Sequence, residues 1–181
     1  GGGGVSPPPG ARAHSGGRKR AIAVAGSPAI ILGGLMTPLT LPLEYDAIAR
    51  ILPHRYPFLL VDRITELEPD HRIVGIKNVA HDESYLSRSP GEPPSMPPTI
   101  LTECVAQVGA ILILSKPENH GKLILFRGME RVRFRRPVHA GDTVEIEARV
   151  KRLRSRMGQL EGFARVNGQV VVNGAMTFAL E

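Results

Sequence analysis

Hydrophobic residues follow two different patterns over residues 43–181. The longest apolar segment, TILTECVAQVGAILILS at residues 99–115, is hydrophobic on most sides and predicts a helix of about 25 Å. Such a helix must be enclosed by other parts of the protein. Near the start of the region, the segment EYDAIARIL places Ile48, Ile51 and Leu52 on one face, which predicts a short helix that ends before Pro53.

The other apolar segments are rich in branched aliphatic residues and predict strands. Within residues 143–151, Val144, Ile146 and Ala148 alternate with charged residues, so one face should cover the helix and the other should meet solvent. Asn167-Gly168 predicts a type I′ hairpin turn. This order of elements predicts an α+β fold, in which an antiparallel sheet packs on a single helix. The predicted strands cover residues 57–69, 71–80, 122–129, 131–138, 143–154, 159–166 and 169–180.

Residues 1–42 differ in composition from the rest of the chain, and we expect a disordered or dispensable leader there. Residues 43–181 are then one domain. The basic run 18–20 and the apolar residues after it superficially resemble a signal peptide, but Pro28 and the pair Gly33-Gly34 interrupt the apolar part. That part is also shorter than the ~20 residues of a membrane span, so we expect a cytoplasmic protein with no membrane partner.

The net charge of +6 comes mostly from the leader, because four cations precede the first acidic residue, Glu44. From residue 36 onward, 19 Lys and Arg face 17 Asp and Glu, and aromatic residues make up only 4% of the chain. We therefore expect no nucleic-acid partner. The single cysteine, Cys104, excludes an internal disulfide and a multi-cysteine zinc site. We expect it to be a buried small side chain, and we expect no metal and no cofactor.

Glu103 is an acid near the start of the long apolar helix. It shares a helical stripe with Thr99 and Gln107, which lie four residues before and after it. A polar stripe of this kind is commonly a solvated face. The rest of the helix is apolar and leaves little perimeter for water, however, and this makes Glu103 a candidate proton donor.

Three segments carry a resemblance to a known family. They are LPHRYPFLLVDRI from Leu52, GMERVRFRRPVHAGD from Gly128 to Asp142, and the helix that contains Glu103 and Gln107. In matching order over nearly all of residues 43–181, the chain resembles the (3R)-hydroxyacyl-acyl carrier protein dehydratases of fatty acid synthesis. The resemblance implies a hotdog fold, in which the sheet wraps around the central helix, and a site at a subunit interface. It also implies a homodimer, a higher even oligomer or a heterodimer, and a substrate carried by acyl carrier protein or coenzyme A.

The resemblance assigns roles to site residues. Glu103 matches the glutamate that acts on the C3 hydroxyl, and Gln107 follows at the family spacing to orient the site. The family histidine, which acts on the C2 proton, belongs to a Gly-His-Phe-Pro-Gly-x-Pro motif. This chain has Ser89 at that place in an ungapped alignment, or Arg88 in an alignment on Pro90-Gly91. Neither residue is a suitable base at neutral pH.

A second departure lies at the start of the helix. Where the family has a glycine whose N–H binds the thioester carbonyl, this chain has Pro98, which has no N–H. We expect Arg88, Ser89, Met96 and Pro98 to line the substrate site. His81 is then the candidate replacement base, whereas His54, within the shared LPHRYP motif, is expected to have a structural role.

Two other functions stay open for this sequence. A hotdog thioesterase could use Glu103 to activate water without a histidine. A non-catalytic acyl-binding subunit, paired with an active paralogue, would need no base at all. The basic strands at residues 131–136 and 149–156 are either a charged solvent face or a docking surface for acidic acyl carrier protein.

Overall fold

The computed structural model describes residues 29–32, 35–154 and 156–181. Its helices are α1 (Tyr45–Ile51), α2 (Pro98–Leu114) and one turn of 3-10 helix, η1 (Pro117–Asn119). Two short strands, β1 (Ala29–Leu32) and β2 (Leu35–Pro38), precede them. The six longer strands are β3 (Arg63–Glu68), β4 (Arg72–Asn78), β5 (Ile124–Phe134), β6 (Thr143–Arg154), β7 (Met157–Val166) and β8 (Gln169–Leu180).

The six longer strands form one antiparallel sheet in the order β3-β4-β6-β7-β8-β5. Helix α2 packs on this sheet, mainly against β6, β4 and β7. Of its 17 residues, 13 are buried, as expected for a helix that is apolar on most sides. The predicted α+β fold is confirmed, and the sheet around a central helix is the hotdog arrangement that the resemblance implies.

Glycines let the sheet approach α2 closely. A Cβ atom on Gly162 of β7 would overlap the side chain of Val105, and one on Gly75 of β4 would lie 2.8 Å from Cγ2 of Val108. The absence of side chains at these two positions therefore allows α2 to pack close to β7 and β4.

Most predicted elements are confirmed, including both positive φ angles of the turn at Asn167 and Gly168. Three predicted strands differ from the structure. Residues 122–129 and 131–138 contribute to one strand, β5, whose register against β8 shifts at two points so that pairing continues past Glu130. Residues 57–62 are not a strand, because the backbone of Phe58 and of Leu60 bonds to a helix side chain instead.

The solvent face predicted for β6 is wrong at Glu147, which is 4% exposed. Arginines from three neighbouring positions in the sheet cover it: Nε of Arg72 and Nε of Arg149 lie 2.6 and 2.7 Å from its Oε1, and Nη1 of Arg165 lies 2.9 Å from its Oε2. Burial alone would raise the pKa of Glu147, but these hydrogen bonds lower it to about 2.

Residues 1–28, most of the leader that is predicted to be disordered or dispensable, lie outside the described residues. The pattern did not predict β1 and β2, which pair as an antiparallel hairpin, with β1 against η1. Whether residues 1–42 are dispensable stays a prediction. In the described part of the chain, no helix combines the length and the hydropathy needed to cross a membrane.

Candidate active site

Gln107 is a buried polar residue in the middle of α2, with 1% of its surface exposed. Its Nε2 donates a hydrogen bond to the carbonyl of Phe58 at 2.8 Å, and its Oε1 accepts one from the N–H of Leu60 at 2.9 Å. These bonds fix the segment from Phe58 to Leu60 on the helix. The same Nε2 donates to Oε1 of Glu103 at 3.0 Å, so the amide that holds the segment also orients the carboxylate.

Glu103 lies one helical turn before Gln107 and is the only charged residue of α2. Its side chain is 27% exposed, so the carboxylate reaches the surface, whereas the neighbouring Cys104 is fully buried. Burial raises the pKa of the Cys104 thiol to about 12. This confirms the prediction that Cys104 is a buried small side chain.

His54 faces the same carboxylate. Its Nε2 lies 3.6 Å from Oε1 of Glu103, and its side chain is 28% exposed. Its Nδ1 is buried and has no hydrogen-bond partner among the described residues. The sequence predicted a structural role for this histidine. No local pattern predicts that His54 lies beside Glu103. The loop that carries His54 is held by hydrogen bonds from Gln107, which is 49 residues from Phe58.

The structure does not bring His81, Arg88 and Ser89 to the carboxylate. All three are exposed, and Nη2 of Arg88 donates to the main-chain carbonyl of His81 at 2.5 Å. None of the three forms a hydrogen bond or an ion pair with Glu103 in the described part of the chain. Their roles in catalysis and substrate binding stay predictions.

Met96 and Pro98 do lie together, in an apolar pocket of about 280 Å³ at the start of α2. At about 100° per residue, Glu103 projects about 160° away from Leu101, another residue of this pocket. Within one chain the pocket and the carboxylate therefore lie on different sides of the helix. The remaining residues that line the pocket are Phe134, Arg135, Arg136, Pro137 and Val138.

A buried polar cluster fixes the segment before the altered motif, the residues around Arg88 and Ser89 where the family histidine is missing. Lys77 is buried, and its Nζ donates to Oε1 of Glu83 at 2.5 Å and to the carbonyl of Asn78 at 2.6 Å. The hydroxyl of Tyr85 donates to the other carboxylate oxygen of Glu83. Burial and this hydrogen bond raise the pKa of Tyr85. The segment 83–85 is therefore rigidly held, although residues 87–93 beyond it are exposed.

The basic strands carry charge on the outer face of the sheet. The guanidinium groups of Arg149 and Arg165 lie 5.9 and 5.3 Å from the ring centre of Phe163, and both also bind Glu147. A separate groove of about 420 Å³ combines cations with two acids. Its charged residues are Glu130, Arg131, Arg133, Lys151, Arg152 and Glu161. No group of three or more potential metal ligands is found among the described residues.

Comparison with known proteins identifies the family. A FabA-like domain matches residues 52–175. The 3-hydroxyacyl-[acyl-carrier-protein] dehydratase FabZ of Roseiflexus sp. (strain RS-1) is 48% identical over 138 residues, which cover 76% of this chain and 96% of that protein.

Solved structures share the fold. The dehydratase heterocomplex ApeI:P from Xenorhabdus doucetiae matches with a TM-score of 0.65 and 19% identity, over 79% of this chain and 93% of that one. A hypothetical thioesterase with coenzyme A from Streptococcus pneumoniae TIGR4 matches with a TM-score of 0.53 and 13% identity, over 65% and 84%. These likenesses establish the fold alone. By the domain match and the 48% identity, the chain belongs to the FabA-like family of 3-hydroxyacyl-[acyl-carrier-protein] dehydratases.

Proposed function

We propose that this protein dehydrates a 3-hydroxyacyl thioester to the trans-2-enoyl thioester, with Glu103 as the acid that protonates the departing C3 hydroxyl. The observation that carries the proposal is the position of this carboxylate. It is the one charged group of the central helix, it reaches the surface, and Gln107 holds it at 3.0 Å. A fixed and partly exposed carboxyl group on an otherwise apolar helix is suited to proton transfer.

Apolar surface for the acyl chain is available around this helix. Phe58 is exposed and its ring centre lies 6.1 Å from that of His54, beside the carboxylate. The pocket at Met96 and Pro98 is apolar and is lined by two arginines that suit a phosphate or another acidic group of the carrier. Because this pocket lies on the other side of α2 from Glu103 of the same chain, we propose that it serves the carboxylate of a second subunit. Acyl carrier protein and coenzyme A both offer such acidic groups, and we propose acyl carrier protein as the carrier because the relatives are named for it.

Dehydration is favoured over the other two functions. The relatives at 44–48% identity are named dehydratases, whereas the thioesterase likeness is one of fold at 13% identity. The absence of a suitable base at Arg88 and Ser89 is a feature that favours the non-catalytic subunit, and turnover by the purified protein distinguishes the two functions.

The proposed assembly is a homodimer or a larger even oligomer that joins through β5. One edge of the sheet, β3, is paired with Leu43, whose N–H and carbonyl both bond to Ile64 at 2.9 Å. At the opposite edge, β5 bonds only to β8 among the described strands and exposes Leu125, Met129 and Phe134. A long apolar edge strand is suited to pairing with another chain. A cytoplasmic location is part of the proposal, and the buried, unpaired Cys104 supports it.

The test is turnover of 3-hydroxybutanoyl- and 3-hydroxydecanoyl-coenzyme A by the purified protein alone. Formation of the conjugated enoyl thioester and release of free thiol are followed together. We expect enoyl formation, and we expect Glu103→Gln to reduce it by about 100-fold or more while the melting temperature is kept. Glu118→Gln makes the same chemical change at an exposed carboxylate and should have no effect.

Three results would contradict the proposal. Thiol release without enoyl product would identify a thioesterase. No turnover of either kind would favour the non-catalytic subunit. Full enoyl formation by the Glu103→Gln protein would move the chemistry to another part of the chain.

A further inference from the structure

His54 and Glu103 form a partly exposed pair beside α2. Nε2 of His54 lies 3.6 Å from Oε1 of Glu103, and the two side chains are exposed to nearly the same extent. Among the described residues, His54 is the only histidine within ion-pair distance of a carboxylate. The pair therefore combines a group that can accept a proton with one that can donate a proton, at a place that a substrate can reach.

The loop that carries His54 is held rigidly. Nη1 of Arg55 donates to the carbonyl of Leu52 at 2.9 Å, and the carbonyl of Arg55 accepts bonds from the N–H groups of Phe58 and Leu59 at 2.7 and 2.9 Å. Gln107 then fixes the same segment on α2. One side chain thus positions both members of the pair, as a preorganised site requires.

The two ring nitrogens of His54 have different surroundings. Nδ1 is buried without a partner among the described residues, so Nε2 is the nitrogen that faces Glu103. His139 also has a buried Nδ1 without a partner, but no carboxylate lies within ion-pair distance of its ring in the described part of the chain. His81 is exposed, and its main-chain carbonyl is bonded to Arg88.

We infer that His54 is the catalytic base of this protein and removes the C2 proton of the 3-hydroxyacyl thioester. This inference rests on the proposed dehydratase function. It assigns to His54 the task for which the altered motif at Arg88 and Ser89 provides no suitable base.

His54 and Glu103 together account for every proton transfer of the dehydration. Nε2 of neutral His54 takes the C2 proton, and the electron pair of that C–H bond forms the C2=C3 double bond. The C3–O bond breaks, and its electron pair leaves with the oxygen, which takes the carboxyl proton of Glu103 and departs as water. The imidazolium then returns its proton to the Glu103 carboxylate, whose nearest oxygen is 3.6 Å from Nε2, and both groups are reset.

The first test compares His54→Gln with His139→Gln, a matched control that changes the other histidine with an unpartnered Nδ1. With 3-hydroxybutanoyl- and 3-hydroxydecanoyl-coenzyme A, we expect kcat of His54→Gln to fall by about 100- to 10,000-fold with little change in KM. His139→Gln should stay within about twofold of wild type, since it leaves both reacting groups in place. Melting temperatures establish that both variants are folded.

A second test distinguishes catalysis from structural support. His54→Ala leaves a gap beside Glu103, and added imidazole should restore part of its enoyl formation in proportion to the imidazole concentration. A structural histidine would not be replaced in this way. If the substitutions at position 54 unfold the protein, acylation of wild-type histidines by diethyl pyrocarbonate replaces them: loss of activity should follow modification of His54, and substrate should protect it.

The outcomes separate this inference from the function on which it rests. Wild-type activity that depends on Glu103 but survives in His54→Gln, or an inactivation that follows another histidine, overturns the role of His54 and leaves the dehydratase function standing. Absence of enoyl formation by the wild-type protein overturns both.

Discussion

The side-chain amide of Gln107 lies 3.0 Å from the carboxylate of Glu103, one turn earlier on the same helix, and 2.8 Å from the carbonyl of Phe58. One buried side chain therefore holds both the carboxylate that we propose as the acid and the segment that follows His54. The loop that presents His54 and the helix that presents Glu103 are joined at that amide, so a change at Gln107 should alter both stability and chemistry.

Gln107→Leu is expected to destabilise the protein. Leucine fills a similar volume but leaves the carbonyl of Phe58 and the N–H of Leu60 without partners, and each buried unpaired group costs about 1–3 kcal/mol. Urea unfolding measures the loss in the free energy of unfolding. Thr99→Leu, at an exposed position on the same helical stripe, should stay within about 0.5 kcal/mol of wild type. Equal stability of the Gln107→Leu and wild-type proteins would contradict this account.

Low pH should reduce the free energy of unfolding through protonation of Glu147. Its carboxyl group is buried, and three arginine side chains lower its pKa to about 2 from an ordinary value of 4.5. Because the folded-state pKa is the lower one, the stabilisation is complete above pH 4.5 and is lost as the pH falls toward 2. The difference corresponds to about 3 kcal/mol in the free energy of unfolding.

The measurement compares Glu147→Gln with wild type between neutral pH and pH 2. The variant should be less stable at neutral pH, where three arginines lose their buried partner, and the gap should narrow as the wild-type carboxylate is protonated. Glu145→Gln, at an exposed position of the same strand, should follow the wild-type pH dependence. A gap that is constant with pH would show that the charge of Glu147 does not stabilise the fold.

The elements themselves could be predicted because their patterns are local. The apolar run of residues 99–115 indicates a buried helix whatever surrounds it, and Asn167-Gly168 carries its turn in two residues. The spacing of Glu103 and Gln107 also places them on one helical stripe, because that relation depends only on the period of the helix.

Contacts between distant segments could not be predicted. The alternation in β6 indicates an outward side chain at Glu147, but its burial depends on arginines of β4 and β7 that pair with it only in the sheet. The position of His54 beside Glu103 likewise depends on hydrogen bonds that join Gln107 to a loop 47 and 49 residues earlier. A histidine in a shared motif is as consistent with a structural role as with a catalytic one.

Charge at the β5 edge should break the proposed assembly. Met129→Lys places an ammonium group on the exposed edge strand, where it would be buried between two chains that pair through β5. Light scattering at micromolar concentration should give an even oligomer for wild type and a monomer for the variant. Leu153→Lys changes a similarly exposed residue of β6, away from the free edge, and should keep the oligomer. A wild-type monomer, or dissociation by both changes, would rule out the β5 interface.

A histidine introduced at Ser89 or Arg88 should supply a second base. Pro90 and Gly91 form a tight turn in which the carbonyl of Ser89 accepts a bond from the N–H of Glu92 at 3.1 Å, with Gly91 at φ 82. That bond uses the backbone of Ser89, so its side chain can be exchanged without loss of the turn. Arg88 differs, because its guanidinium holds the carbonyl of His81.

Ser89→His is therefore expected to raise enoyl formation more than Arg88→His does. In a His54→Gln background the expected gain from Ser89→His is about tenfold, because a positioned base contributes to proton transfer. Pro98→Gly supplies the N–H that proline lacks, and the combination with Ser89→His should exceed the product of the two single effects if both serve one site. Initial rates with 3-hydroxydecanoyl-coenzyme A give the comparison. Ser87→His, two residues earlier at an exposed position of the same loop, should bring no gain. An equal gain at Ser87 and Ser89 would show that added imidazole anywhere on the loop suffices, and that residue 89 does not occupy the place of the family histidine.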